Sequence, residues 1–204
     1  EGDTQWIKRP GQFVNIELEG LYLRRPISIC DWDDKTITII YKVVGKGTEL
    51  MSQMQPGVEL DVLTGLGNGF NPEPAVENTK SLLVGGGVGV PPLYHLAKVL
   101  LSAGRKVSVV LGFNTAAEVF YAEEFRALGA DVYVSTADGS MGVKGFVTDA
   151  IREAAIDFDY FYSCGPLPML KALCGCTDKP GELSFEERMG CGVGACMACS
   201  CKTL

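Results

Sequence analysis

The chain has 204 residues, eight cysteines, a single histidine and a formal net charge of −7. With 47% apolar and 21% charged residues it has a globular composition, and at roughly 100–200 residues per domain it makes one large domain or two small ones. The acidic balance argues against nucleic acid or an anionic membrane as the main partner. No apolar run reaches the roughly 18 residues of a transmembrane helix, and residues 1–5 lack the basic and apolar regions of a signal peptide.

The first third reads as strands. Phe13, Ile16 and Leu18 lie in a β-prone run, and residues 36–44 and 58–63 are rich in β-branched side chains. Turns at 31–35, Pro56-Gly57 and 65–69 separate them, which predicts a small antiparallel barrel or sandwich. A short helix is predicted over 48–54 with Thr48 as its N-cap. Residues 71–74 (Asn-Pro-Glu-Pro) read as a linker. Strands at 82–84, 107–111, 132–134 and 160–163 then alternate with helices at 91–103, 122–128, 147–155 and 166–173, which predicts βαβ units and a parallel sheet. The expected units are therefore 1–75, 76–176 and a Gly- and Cys-rich segment, 177–204. Within these, residues 182–187 read as a solvated face, as does Glu123-Glu124, and His95 reads as a packed helix residue.

Four motifs carry chemistry. In Arg24-Arg25-Pro26-Ile27-Ser28 a guanidinium and a hydroxyl three residues apart suit a phosphate. The strand Ile40-Tyr41-Lys42 follows, and Gly45-Lys46-Gly47-Thr48 opens a helix whose backbone N–H groups can approach an anion. Together these could clasp a flavin and its pyrophosphate. Next, a buried strand enters Gly85-Gly86-Gly87-Val88-Gly89-Val90-Pro91-Pro92, the strand–turn–helix context of a dinucleotide phosphate loop. Pro92 occupies the third glycine position of the usual fingerprint. The next strand ends at Asn114 without an acid or an Arg cluster, which favours NADH over NADPH. Cys164-Gly165-Pro166 follows the last buried strand, where Cys164 either faces a nicotinamide or is a plain buried thiol.

The last motif is Cys191-x4-Cys196-x2-Cys199, the plant-type spacing for three ligands of a [2Fe–2S] cluster, with zinc as the alternative metal. Such tight clustering reads as a metal site in a reducing compartment rather than a disulfide framework. Cys201 is too close to Cys199 to be a comfortable fourth ligand, and Cys174 and Cys176 precede the motif, so the fourth ligand is expected beyond Leu204.

These motifs, with Gly65-Leu66-Gly67-Asn68-Gly69-Phe70 and Glu187-Arg188-Met189-Gly190-Cys191, resemble the electron-transfer subunits of the two-component (class 1B) dihydroorotate dehydrogenases, of the ferredoxin–NADP reductase superfamily. The resemblance implies a flavin-binding antiparallel barrel, a nucleotide-binding α/β domain and an iron–sulfur domain. It implies FAD contacts at Arg25, Pro26, Ile27, Ser28, Ile40, Tyr41, Lys42, Gly47 and Thr48, and nucleotide contacts at the glycine loop (Gly85, Gly87, Gly89) and at Cys164, Gly165 and Pro166. Cluster ligands would be Cys191, Cys196 and Cys199. The family's fourth cysteine and first barrel strand have no counterpart here. The implied activity is hydride transfer from NADH to FAD, then single-electron relay through the cluster to a flavin-containing dihydroorotate dehydrogenase catalytic subunit. A cytoplasmic heterotetramer is expected, with no side chain acting as general acid or base. A reductase subunit of a related NAD(P)H–ferredoxin, sulfite reductase or hydrogenase complex stays open as an alternative, as does a non-enzymatic iron–sulfur redox sensor.

Overall fold

The computed structural model of the chain describes residues 2–72 and 79–200. The expected boundary at 75/76 and Cys201 therefore lie outside the described residues. Two sheets organise the fold.

The first sheet contains β1 (Phe13–Ile16), β2 (Arg25–Trp32), β3 (Ile37–Ile39) and β4 (Val62–Leu66), in the order β3-β2-β1-β4 with antiparallel pairing. Among the described residues it is an open four-stranded sheet, so the sequence expectation holds for antiparallel pairing and not for a closed barrel. Val14 and Ile16 alternate with Phe13 and Asn15 along β1, and the first pair joins Ile7, Ile29 and Met51 in the core beneath the sheet. The predicted strands shift: 36–44 is a strand only over Ile37–Ile39, and 58–63 moves to Val62–Leu66. The helix α1 (Lys46–Ser52) starts earlier than the sequence predicts, with Gly45 as N-cap. Thr48 is three residues inside, where its Oγ1 accepts from Gly45 N at 3.2 Å and Val44 N at 3.0 Å. The hydroxyl thus reaches back to the cap instead of forming it.

The second sheet is parallel. It contains β5 (Lys80–Gly86), β6 (Lys106–Phe113), β7 (Asp131–Thr136), β8 (Val143–Lys144), β9 (Tyr160–Gly165) and β10 (Gly181–Phe185), in the order β10-β9-β5-β6-β7-β8. Helices α2 (Pro92–Ser102) and α3 (Ala122–Ala127) pack Leu93, Leu96, Leu100 and Phe125 on one face. Helices α4 (Val147–Glu153) and α5 (Leu167–Cys176) pack Val147, Ala150 and Leu173 on the other. This is the doubly wound arrangement that alternating strands and helices predict. Two strands were not expected, β8 and β10. The acidic run at 182–187 is only in part a solvated face: Glu186 and Glu187 are exposed, but residues 182–185 are the part-buried end of β10, paired along β9. Glu182 accepts from Asn71 N at 3.0 Å and from Tyr160 Oη at 3.3 Å, so one carboxylate pins the inter-sheet segment to the sheet edge. Among the described residues no helix is long and apolar enough to cross a membrane.

Strand order reverses at β5, with β6 to β8 on one side and β9 and β10 on the other. The glycine loop leaves β5 and the Cys164-Gly165-Pro166 segment leaves β9 at this switch point, where open α/β sheets bind ligands.

Candidate functional site

A cleft of about 780 Å³ lies between the two sheets. One wall is Ile40, Tyr41 and Lys42, just past β3. The other comes from the carboxyl ends of the parallel strands: Gly86, Gly87 and Val88 after β5, Phe113 and Asn114 after β6, Ser135 and Ala137 around the end of β7, and Pro166 after β9. Phe120, Phe146 and Met169 make it largely apolar, and Glu186, beyond β10, also lines it.

Of the three loop glycines expected to meet phosphates, Gly87 lines the cleft and has φ +52°. Gly85 and Gly89 are not among the lining residues. A Cβ on Gly85 would stand 2.9 Å from Val90 Cγ2, and one on Gly89 only 2.2 Å from the Cys164 carbonyl oxygen. These two glycines let the β5 turn press against its own helix and against β9. Cys164 does not reach the cleft surface: it is buried, in register with Gly85 on one side and Ser184 on the other. Burial pushes its thiol up to about 12, so it is a neutral thiol at working pH. Gly165, at φ +151°, turns the chain so that Pro166 enters the cleft. Two lining groups escaped the sequence reading. The Ser135 hydroxyl is fully buried and has no hydrogen-bond partner in the structure. Burial raises the Glu186 carboxyl above its ordinary value. Only its position past the unrecognised strand β10 would have flagged it.

The flavin-type residues gather at a second place. Arg25, Pro26, Ile27 and Ser28 open β2, half-buried. Arg25 lies over the start of α1, so that a Cβ on Gly47 would fall 2.0 Å from Arg25 Nε. Only a glycine there admits the guanidinium, which also donates to the carbonyls of Leu23 and, at 3.3 Å, Arg24. A guanidinium, the Ser28 hydroxyl and a glycine-bared helix start fit the phosphates of an FAD. Tyr41 and Ile39 continue from this place toward the cleft, packed on the core of the first sheet.

The cysteine segment follows β10. Cys191 Sγ accepts from Val193 N and Cys196 N, each at 3.4 Å, and these donors lower its thiol to about 6. Gly192 and Gly194 take φ +72° and +78°, which turns those N–H groups onto the sulfur. Cys196 Sγ lies close by, 3.2 Å from where a Gly190 Cβ would stand. The described residues contain no convergent group of three or more Cys, His, Asp or Glu side chains, so Cys199 does not complete a set with Cys191 and Cys196. A sulfur already held by two backbone N–H donors nonetheless has the chemistry of an iron–sulfur ligand.

The two sheets are joined beside the cleft. Asp31 on β2 meets His95 and Lys98 on α2, and Trp32 stacks on His95 with ring centroids 3.5 Å apart. His95 is thus packed, as expected, but at the boundary between the sheets. Next to it Tyr121, at φ +64°, reaches Cys30 of β2.

Residues 83–175 match the family model of the oxidoreductase NAD-binding domain. The chain is 54% identical over 204 residues to the dihydroorotate dehydrogenase B (NAD(+)) electron transfer subunit of Geobacillus kaustophilus, covering 97% of this chain and 79% of that one. It is 50% identical over 204 residues to the subunit of the same name from Fusobacterium nucleatum, covering 96% and 78%. The chain belongs to the dihydroorotate dehydrogenase B electron transfer subunits. A solved NADH-dependent reduced ferredoxin-NADP oxidoreductase superposes with a TM-score of 0.83 at 36% identity, over 95% of this chain and 71% of that one. An Amycolatopsis cytochrome P450 reductase, at 21% identity and TM-score 0.73 over 86% and 60%, shares the fold. This electron transfer subunit therefore has the ferredoxin-reductase-like pair of sheets expected from its motifs, and it is an NADH-linked oxidoreductase subunit.

Proposed function

We propose that the chain takes a hydride from NADH onto FAD and passes single electrons through a [2Fe–2S] cluster to a flavin-containing catalytic subunit that oxidises dihydroorotate. The observation that carries this reading is the cleft itself. It sets the Ile40-Tyr41-Lys42 wall, continuous with the flavin-type residues, against the nucleotide-binding ends of β5, β6 and β9. When bound, FAD supplies the exchange between two-electron and one-electron chemistry, and the cluster supplies the one-electron relay.

The chain's own residues bind and orient. Arg25, Ser28 and the Gly47-Thr48 helix start would hold the flavin's phosphates. Gly87 and Pro166 would receive the dinucleotide at the cleft. Phe120, Phe146 and Met169 keep water from the reacting face. Cys164, buried behind the cleft wall, stays a neutral thiol and packs the turn without adding charge there. Cys191, Cys196 and Cys199 would hold the cluster, with the fourth thiolate from outside the described residues. Completion of the barrel, assembly with the catalytic subunit as a heterotetramer and residence in the reducing cytoplasm belong to the same reading, which the free cysteines of the described residues support.

Anaerobic mixing of the FAD-loaded chain with NADH tests it. Flavin bleaching, followed by NAD+-dependent dihydroorotate oxidation once the catalytic subunit is added, is the expected result. No reduction by NADH or NADPH would overturn it. Activity only with a ferredoxin, and none with the dihydroorotate-oxidising subunit, would favour the reductase reading that the 36% identity to the reduced ferredoxin-NADP oxidoreductase keeps in view.

A further inference from the structure

Strand alternation puts Phe13 and Asn15 on the face of β1 opposite its core residues Val14 and Ile16. An asparagine on that outer face should be wet, yet Asn15 is only 3% exposed. The cysteine loop lies over it. A Cβ on Gly192 would stand 2.7 Å from Asn15 Nδ2 and 3.7 Å from Phe13 Cε2, and Asn15 Nδ2 donates to the Cys191 carbonyl at 3.4 Å. The same amide's Oδ1 is buried without a partner. A buried, half-satisfied amide weakens a sheet, and a leucine of similar size would suit β1 better. On its other side Asn15 pairs with Pro26, inside the flavin-type motif, and Phe13 pairs with Ser28.

We propose that Asn15 is a positioning residue that docks the cluster loop onto the flavin-binding strand pair, fixing the distance from the Arg25-Pro26-Ile27-Ser28 edge to Cys191 that electron relay requires. The inference rests on the proposed electron-transfer function and deepens it. Asn15 joins the two sites through direct contacts: Pro26, its cross-strand neighbour Asn15, and the Cys191 carbonyl. Gly192 serves the same contact, since any side chain there would strike the Asn15 amide.

The test uses Asn15→Leu in the full chain, FAD-loaded and with its cluster reconstituted. Hydrogen exchange at the Val193 and Cys196 amides, divided by exchange at Ile29 in β2 to cancel global effects, is expected to rise about five- to tenfold, the worth of one hydrogen bond. Release of iron to a chelator, which proceeds through the undocked loop, should accelerate by about the same factor. The thermal midpoint should hold or rise, which a merely structural role for Asn15 would not allow. Unchanged exchange and release ratios in the folded variant would overturn the proposal. Should Asn15→Leu not fold, Asn15→Ala carries the same ratio measurement with the same two outcomes. If the wild-type chain holds no iron or sulfide, the cluster reading fails, and the exchange ratio in the cluster-free protein still decides the docking.

Discussion

Asp31 Oδ1 lies 2.6 Å from His95 Nδ1 across the boundary between the two sheets. Lys98 Nζ closes the same carboxylate at 2.9 and 2.8 Å. Asp31 stands three residues beyond Ser28 on β2, and His95 stands one turn into the helix that leaves the glycine loop. The contact therefore bolts the flavin-type strand to the nucleotide loop. Removing one partner leaves a cation half-desolvated, so Asp31→Ala should cost about 1–2 kcal/mol in urea unfolding, a figure discounted because Asp31 and Lys98 side chains are 25% and 37% exposed. The KM for NADH should rise in the folded fraction, because the cleft walls lose their fixed separation. A variant with unchanged stability and KM would show that the walls are held elsewhere.

The same contact predicts a pH dependence. Burial lowers the His95 pKa below its ordinary 6.5, against the pull of Asp31 toward the charged form. The unfolded chain then binds the proton more readily, so stability is full above about pH 6.5 and declines as pH falls from there through the lower folded value. Burial raises the Asp31 carboxyl, but the bonds from Lys98 and His95 outweigh it and hold it below its ordinary value, so its own contribution disappears only in strong acid. His95→Gln should flatten the loss of stability just below pH 6.5 in denaturant titrations. A slope unchanged by that substitution would assign the titration to another group.

Much of this architecture was legible in the sequence because its signals are local. The βαβ alternation and the glycine loop after β5 depend on neighbouring residues, and each appears where expected. The misses have a different cause. The strand β10 escapes notice because its alternation, Glu182-Leu183-Ser184-Phe185, spans only two periods inside an acidic run, and its stability comes from pairing with β9. The contact of Asp31 with His95 spans 64 positions of the chain, and nothing near either residue predicts it. Gly85 and Gly89 look like phosphate-loop glycines by spacing, yet the backbone packing they permit is a tertiary fact.

Thiol reactivity should separate the cysteines by environment. Cys30 and Cys164 are buried, and desolvation pushes their thiols up to about 11 and about 12. Cys174, Cys176 and Cys196 are exposed. Alkylation of the native, cluster-free protein at neutral pH, read by peptide mass, should label the exposed set and spare Cys30 and Cys164 until denaturant is added. Early labelling of Cys164 would place it at the cleft surface after all.

Gly89→Ala tests the packing role of the loop. Its Cβ would meet the Cys164 carbonyl at 2.2 Å, and both sides of that contact are backbone, so neither can yield as a side chain does. The expected loss is about 1–3 kcal/mol of stability or more, with weakened NADH binding as the turn is forced off β9. Gly104→Ala is the matched control: it meets nothing within 4 Å and pays only for its φ of +73°. Equal effects of the two substitutions would remove close packing as the reason for Gly89.

Charge at the cleft mouth gives the last prediction. Among the described residues that line the cleft, Lys42 is the cation, facing Glu118 and Glu186. Lys42 Nζ sits 3.8 Å from Glu118 Oε1, an ion pair that crosses from one wall to the other, while Glu118 Oε2 accepts from Asn114 N and Nδ2 at 3.1 and 2.9 Å. An incoming dinucleotide brings a doubly charged pyrophosphate, which Glu118 repels and Lys42 attracts. Glu118→Gln keeps the shape, removes the repulsion and frees Lys42, so the KM for NADH should fall about two- to fivefold, the range of an exposed ion pair. Lys42→Met should raise it by a similar factor. Both effects should shrink as salt is raised from low to physiological ionic strength, because the pair is solvent-exposed and screening acts on it fully. If Lys42→Met released FAD instead, with NADH binding unmoved, the lysine would belong to the flavin's phosphates and not to the cleft mouth.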